Sequence, residues 1–309
     1  MKLCPYALVL FFCLFTPQSR LSAGESMAAI SYNVQLFPPL IGFINKRGEP
    51  NYRLQQIVEA IAPFDVIALQ ELFHSDYREQ LIKNLSQRWN APAHSVYGKK
   101  PAGFFNNGFL TSSGCVLVSR FPIAQQQQLV FEHRSRFIDY GFRADGLAAK
   151  GVLHARLIVD KSLKLDVYVT HLEARDETIR LQQFQELADF IHNTADRNNP
   201  LLLLGDMNTR GNLRYQTESD SPYQLLLQSL RRSAPGLIDI WPSLHPLEEG
   251  GTSEQSFIDG GRRIDYIMLA NPPDSEAPLL PQTIRVEPFL DSRVEALSDH
   301  NAVIAEFSW

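Results

Sequence analysis

Apolar residues fall in short runs along this chain, bounded by polar and turn-forming positions. The runs at 28–36, 65–72, 114–119, 151–159, 165–171, 201–205, 263–269, 283–289 and 302–307 are rich in β-branched and aliphatic residues. They have the length of strands, and many lack the alternation of a half-exposed sheet, so they are expected to be buried on both faces. A helical period marks a few segments between them. Asn51 is placed to cap a helix with Leu54, Ile57, Val58 and Ile61 on one face, and Leu181, Phe184, Leu187, Ala188 and Ile191 form a stripe at spacings of three and four. Ser221 followed by Pro222 is a start signal ahead of the run 225–230. About nine or more strands with roughly three to five helices predict a mixed α/β layered sandwich. No repeat and no low-complexity linker interrupts residues 28–309, so one domain is expected over 24–309.

The first residues follow a different pattern. Lys2 precedes an unbroken apolar run from Ala7 to Phe15, then polar residues to Ser22 and the small Ala23 and Gly24. This predicts a signal peptide over 1–23 and a secreted protein, extracellular or periplasmic, with a retained anchor as the alternative. The run is shorter than the roughly 20 residues that span a bilayer. Two of the 3 cysteines, Cys4 and Cys13, lie in this leader; Cys115 sits in an apolar stretch and is expected to be a small buried hydrophobe without a disulfide.

Composition narrows the picture further. With 44% apolar against 20% charged residues, the 309-residue chain can bury a core that offsets its ordering entropy, which excludes intrinsic disorder. The net charge of −5 becomes more negative without Lys2 and Arg20. A broad basic face that coats nucleic acid is therefore absent from the expectation, as is a stable nucleic-acid complex. A monomer is expected. An enzyme that meets phosphate through a divalent metal remains compatible with this charge.

Chemistry enters where the buried-looking strands end. Asn33 interrupts the first run, Glu71 closes the second, His171 closes the fifth, and Asp206 and Asn208 follow the sixth. Asp265 sits inside Arg263-Ile264-Asp265-Tyr266-Ile267, and Ser298-Asp299-His300-Asn301 opens the last strand. Hydrophobic packing does not require such residues, and a charge in a low-dielectric setting must be paired or bound to metal. Hard oxygen ligands with two imidazoles suit Mg²⁺, with Mn²⁺ or Ca²⁺ as alternatives, better than zinc. That combination points to metal-assisted phosphodiester hydrolysis.

Taken in order, Ser31-Tyr32-Asn33-Val34, Ile67-Ala68-Leu69-Gln70-Glu71, Thr170-His171-Leu172, Gly205-Asp206-Met207-Asn208, Ile264-Asp265-Tyr266-Ile267 and Ser298-Asp299-His300 resemble the endonuclease/exonuclease/phosphatase superfamily. The resemblance implies a DNase I-like, four-layer α/β/β/α sandwich, two mostly antiparallel sheets flanked by helices, with a Mg²⁺ site at one rim. Within the superfamily the chain is most similar to the neutral sphingomyelinases. The likeness is carried by the stretch from Ser113-Gly114-Cys115 to Pro122-Ile123, by Asp145-Gly146-Leu147-Ala148-Ala149-Lys150-Gly151 and by Thr170-His171-Leu172-Glu173-Ala174. It departs from the secreted bacterial type between Ile267 and Ser298, where no Trp-Phe hairpin tip occurs and 271–281 is Pro-rich and acidic.

The resemblance implies His300 as general base, Glu71 as metal ligand with Asn33 assisting through its side-chain oxygen or a water, and His171 as a donor to phosphate. Asp206 and Asn208, two residues apart beyond a strand, are expected on one side. One would orient a water, free or metal-bound, and the other would hold a phosphate oxygen. Adjacent extended side chains point apart, so Asp265 rather than Asp299 is expected to orient His300, leaving Asp299 for phosphate or a second ion. Lys150 is a phosphate contact or, alternatively, an exposed lysine beside Gly151. Asn107-Gly108 is a turn signal, which would put Phe104, Phe105 and Phe109 at a membrane-contacting tip unless they fold into the core. The other histidines carry no functional signal. The expected function is a secreted Mg²⁺-dependent phosphodiesterase that hydrolyses sphingomyelin to ceramide and phosphocholine, or a related phospholipid at a membrane surface, by attack of water activated at His300. A DNase-like endonuclease and an inositide or other phosphate-ester hydrolase are same-fold alternatives; a non-catalytic membrane-binding module is an alternative of another class.

Overall fold

The computed structural model describes residues 25–37, 48–100, 111–141, 145–253, 261–275 and 278–309. Two six-stranded sheets carry the architecture. Sheet 1 runs β11 (Leu280–Glu287), β14 (Ala302–Ser308), β1 (Ser26–Leu36), β2 (Val66–Leu72), β4 (Val116–Ser119), β3 (His94–Tyr97). Sheet 2 runs β5 (Ile123–Val130), β6 (Gly151–Ile158), β7 (Lys164–His171), β8 (Leu201–Asp206), β10 (Asp265–Ala270), β9 (Ile238–Asp239). A small hairpin, β12 (Leu290–Asp291) with β13 (Glu295–Ala296), precedes the last strand.

Each sheet is antiparallel except for one central parallel pair, β1 with β2 and β7 with β8. A parallel pair needs a long crossover, and helices supply it: α1 (Pro50–Ile61) between β1 and β2, and α3 (Glu177–Thr194) between β7 and β8. Two further long helices, α2 (Ser75–Trp89) and α4 (Pro222–Ser233), complete the outer layers.

Strand alternation sorts the apolar residues into three cores. Ala29, Ala68, Val167, Val169, Leu202, Leu204, Ile267, Val303 and Ala305 fill the seam between the sheets. Ile30, Tyr32, Ile67 and Leu69 face outward onto Leu54, Ile57, Leu81 and Leu85 of α1 and α2. Tyr168, Leu203 and Met268 face outward onto Phe184, Leu187, Leu226 and Leu230 of α3 and α4. Sheets buried on both faces explain why the strands read as unbroken apolar runs. The result is the expected four-layer sandwich.

All nine anticipated strands are present, with local differences. α1 starts at Pro50 after Glu49 in a left-handed conformation with no side-chain cap, so Asn51 lies inside the helix and does not cap it. Ser221 does cap α4, accepting from the Gln224 N–H at 3.3 Å. Cys115 is free and buried. Gly205, at φ 153, lets β8 lie close to β7: a Cβ there would stand 2.1 Å from the Thr170 carbonyl oxygen. Residues 1–23, expected to be a signal peptide, and Phe104, Phe105 and Phe109 lie outside the described residues. Among the described residues, no helix is long and apolar enough to cross a membrane.

Candidate active site

The carboxyl ends of both parallel pairs and the amino ends of β10 and β14 meet at one rim. This follows from pairing: β10 runs antiparallel to β8 with Asp265 opposite Asp206, His171 of β7 is also opposite Asp206, and β14 runs antiparallel to β1. Alternation points Asn33, His171, Asp206 and Asp265 into the gap between the sheets, where the hydrocarbon seam ends. Glu71 would by alternation point outward with Leu69. Its left-handed backbone, φ 59, breaks the alternation and turns it into the cleft.

The Asn33 side-chain nitrogen donates to Glu71 Oε1 at 3.1 Å and to Asp206 Oδ2 at 3.2 Å, tying one sheet to the other. Its oxygen accepts from the Gln35 N–H at 3.2 Å, so the amide nitrogen faces Glu71. His300 Nδ1 lies 2.8 Å from Asp265 Oδ2, a second bond between sheets, and Nε2 lies 3.8 Å from Asp206 Oδ2. Thr252 Oγ1 donates to the same Asp265 oxygen at 2.6 Å. Asp299 is turned away and accepts from Gln35 Nε2 at 2.7 Å. His171 Nε2 stands 3.6 Å from Asp206 Oδ2 and 4.0 Å from Glu71 Oε1.

Lys150 is only 4% exposed, which overturns the reading of a solvated lysine. Its ammonium donates to Leu172 O at 2.7 Å and to Asp145, and lies 3.1 Å from His171 Nε2. An ammonium has only hydrogens to give, so His171 Nε2 is the acceptor there and its proton sits on Nδ1. Asn208 does not reach the cleft by alternation, because β8 ends at Asp206. A left-handed turn at φ 48 places it, its N–H bonding Asp206 Oδ1 at 2.9 Å and its side-chain nitrogen bonding Leu172 O at 3.0 Å.

Burial sets the electrostatics. It pushes the Glu71 carboxyl up to about 7, against the hydrogen bond from Asn33. Burial and then the Lys150 charge bring the His171 imidazole down to about 4. For His300, burial acts downward, but the carboxylates of Asp265, Asp206 and Asp299 outweigh it and raise the group to about 10.

Ligating atoms of Asp206, Asp265 and His300 fall within 4.8 Å of one another. Asp265 and His300 already share a proton at 2.8 Å, so this trio is in part a satisfied ion pair. Between Glu71 and Asp206 two carboxylates share one amide donor. Those hard oxygens fit a divalent cation such as Mg²⁺.

The structure thus brings Asn33, Glu71, Lys150, His171, Asp206, Asn208, Asp265 and His300 into one cleft, with Asp299 at its edge. Asp145, Gln35 and Thr252 were not singled out as site residues. Asp145 had a signal, an acid five positions before a lysine in a likeness-bearing segment; Thr252 and Gln35 had none.

The pattern of the Endonuclease/Exonuclease/phosphatase family matches residues 30–300, from β1 to His300. The chain belongs to that family. Sphingomyelinase C of Bacillus cereus is 28% identical over 187 residues, covering 55% of this chain and 53% of that protein. The chain thus spans about half the length of that curated relative. Beta toxin from Staphylococcus aureus, in a mutant form with bound magnesium ions, shares the fold of this family member at a TM-score of 0.62 and 15% identity, over 92% of this chain and 100% of that one. Truncated TDP2 of Caenorhabditis elegans shares it at 0.61 and 17% identity, over 93% and 99%.

Proposed function

We propose that this family member is a Mg²⁺-dependent phosphodiesterase that cleaves sphingomyelin to ceramide and phosphocholine, or hydrolyses the head group from a related phospholipid. The observation that carries the reading is the convergence of Glu71 and the Asp265–His300 pair on Asp206 in one buried cleft. Likeness to a sphingomyelinase in sequence and to a magnesium-bound beta toxin in fold supports the substrate and the ion. Secretion rests on the leader at 1–23, and a monomer is the working state.

Glu71 and Asp206 would hold the cation, and Asn33, whose amide nitrogen bridges these two carboxylates, would keep them together. When bound, the cation polarises phosphate oxygens and offsets the carboxylate charge that raises His300. Asp265 fixes the His300 tautomer by holding Nδ1, so Nε2 faces Asp206 and takes the proton of the attacking water. The water oxygen bonds to phosphorus as the ester oxygen of the ceramide leaves with the bonding electron pair and takes up a proton. Lys150, His171 and Asn208 line the sheet 2 side and present N–H groups to the phosphate oxygens. Donation by His171 requires its proton on Nε2, which is open to it once Lys150 turns its hydrogens to the same phosphate. Asn208 in turn would exchange the Leu172 carbonyl for a phosphate oxygen.

The test supplies the purified chain and Mg²⁺ with sphingomyelin vesicles, phosphatidylcholine, a phosphoinositide and supercoiled plasmid in separate reactions. Sphingomyelin turnover is expected, abolished by chelator and at least about 10³-fold lower for His300→Ala. Cleavage of plasmid alone would reject the lipid reading. Vesicle binding with no turnover of any substrate would favour the non-catalytic module.

A further inference from the structure

Among the described residues eight large apolar side chains are exposed, and Ile138, at 84%, is one of them. It stands in the single helical turn Phe137–Tyr140 beside Phe137, which is half exposed. This turn belongs to the segment that leaves β5 and returns to β6 through Lys150. Polar bonds fix the segment to the chain just past His171. Buried Glu173 accepts from Ser135 Oγ at 2.9 Å, Ser135 Oγ accepts from the Gly146 N–H at 3.0 Å, and the Tyr140 hydroxyl donates to Asp176. Asp145 then bonds both Lys150 and the Ala174 N–H. Phe137 and Ile138 are therefore held on a pinned lip of the cleft. Thr111 joins the same lip, bonding Leu147 O and receiving the Ala149 N–H.

We infer that the Phe137–Ile138 lip is a docking surface for a zwitterionic lipid bilayer, inserting its apolar side chains where the cleft opens. Exposed aliphatic and aromatic side chains gain free energy by entering the acyl boundary. Charge argues for a zwitterionic surface: Arg136 is paired with Asp139 at 3.1 Å, which leaves no basic excess on the turn, and the whole chain carries −5. An anionic bilayer would repel it. This surface takes its partner from the lipid reading above.

The experiment separates docking from chemistry. Sedimentation with sphingomyelin–phosphatidylcholine vesicles is read on His300→Ala, alone and with Phe137→Ser and Ile138→Ser added. Turnover is read in the His300 background on vesicles and on a short-chain sphingomyelin kept monomeric. The double substitution is expected to weaken vesicle binding and vesicle turnover about tenfold and to change monomer turnover less than about twofold. Ile138→Leu should retain vesicle binding, as should Leu280→Ser at the opposite pole, where β11 starts beside the end of β14. Unchanged vesicle binding in the double variant, or equal loss on monomer and vesicle, would overturn the inference. Tighter binding to phosphatidylserine vesicles would overturn the zwitterionic assignment, and a dimer abolished by the double variant, with vesicle binding intact, would make the lip a contact between copies. Vesicle binding through Ile138 by a protein that turns over no lipid would leave the surface standing and the proposed function rejected.

Discussion

In sheet 1 the parallel pair brings Asn33 to the rim in step with its strand, but Glu71 only by breaking strand alternation, at φ 59. In sheet 2 the parallel pair brings His171 and Asp206 there by keeping it, in register opposite one another. The two halves share a plan of two strands and a crossover helix, yet they equip the cleft differently. Sheet 1 supplies an amide and a carboxylate. Sheet 2 adds Lys150, His171 and Asn208, groups with hydrogens to give. Under the proposed function a cation would lie between Glu71 and Asp206 and the phosphate beside Lys150, His171 and Asn208, where the halves meet.

The largest effect should come from testing that division of labour. Glu71→Gln is expected to lower kcat/KM at least about 10³-fold and to raise the Mg²⁺ concentration required, whereas His171→Gln should cost about 10²-fold at saturating Mg²⁺ with its Mg²⁺ dependence unchanged. Mg²⁺ titration of both variants decides it: equal displacement of the two curves would dissolve the distinction between the halves.

A second contrast lies on the outer faces. Sheet 1 turns an apolar face to its helices, while sheet 2 buries a charged network in which Asp166 accepts from Arg156 at 2.8 and 3.0 Å and pairs with His154 at 2.8 Å. Burial acts to raise the Asp166 carboxyl, but His154 and Arg156 outweigh it and hold it below its ordinary value. Its contribution to stability is therefore complete above the ordinary carboxylate range and is lost as pH falls through the folded value. Asp166→Asn is expected to cost about 3 kcal/mol near neutral pH. Urea unfolding should show wild type and variant converging in acid, and a constant gap down to about pH 2 would contradict the linkage. A smaller loss, about 2 kcal/mol, is expected for Gly205→Ala, since the added methyl meets the Thr170 carbonyl at a backbone angle that disfavours a side chain. Thermal unfolding measures it, and an unchanged midpoint would mean that β7 and β8 tolerate wider spacing.

The interior of this fold was legible because both sheets are covered on both faces, so strands such as β8 read as runs of leucine. What escaped did so for local reasons. β5 carries Gln125 to Gln128 along an exposed edge, where no apolar signal is required, and α2 buries only Tyr77, Leu81 and Leu85 in a polar sequence. In the cleft, residues at strand ends stood out because apolar packing gives no reason for them. The position of Asn208 was anticipated for the wrong reason, since a turn rather than an extended strand delivers it. Thr252 arrives from a loop far from any motif, and only the assembled fold sets it on Asp265.

The bonds from His300 to Asp265 and from Asn33 to Asp206 each cross from one sheet to the other. The reactive centre is accordingly a joint and not the possession of either half. Slippage of a fraction of an ångström along the leucine-filled seam would be felt first as mispositioned proton acceptors, long before either layer lost its shape.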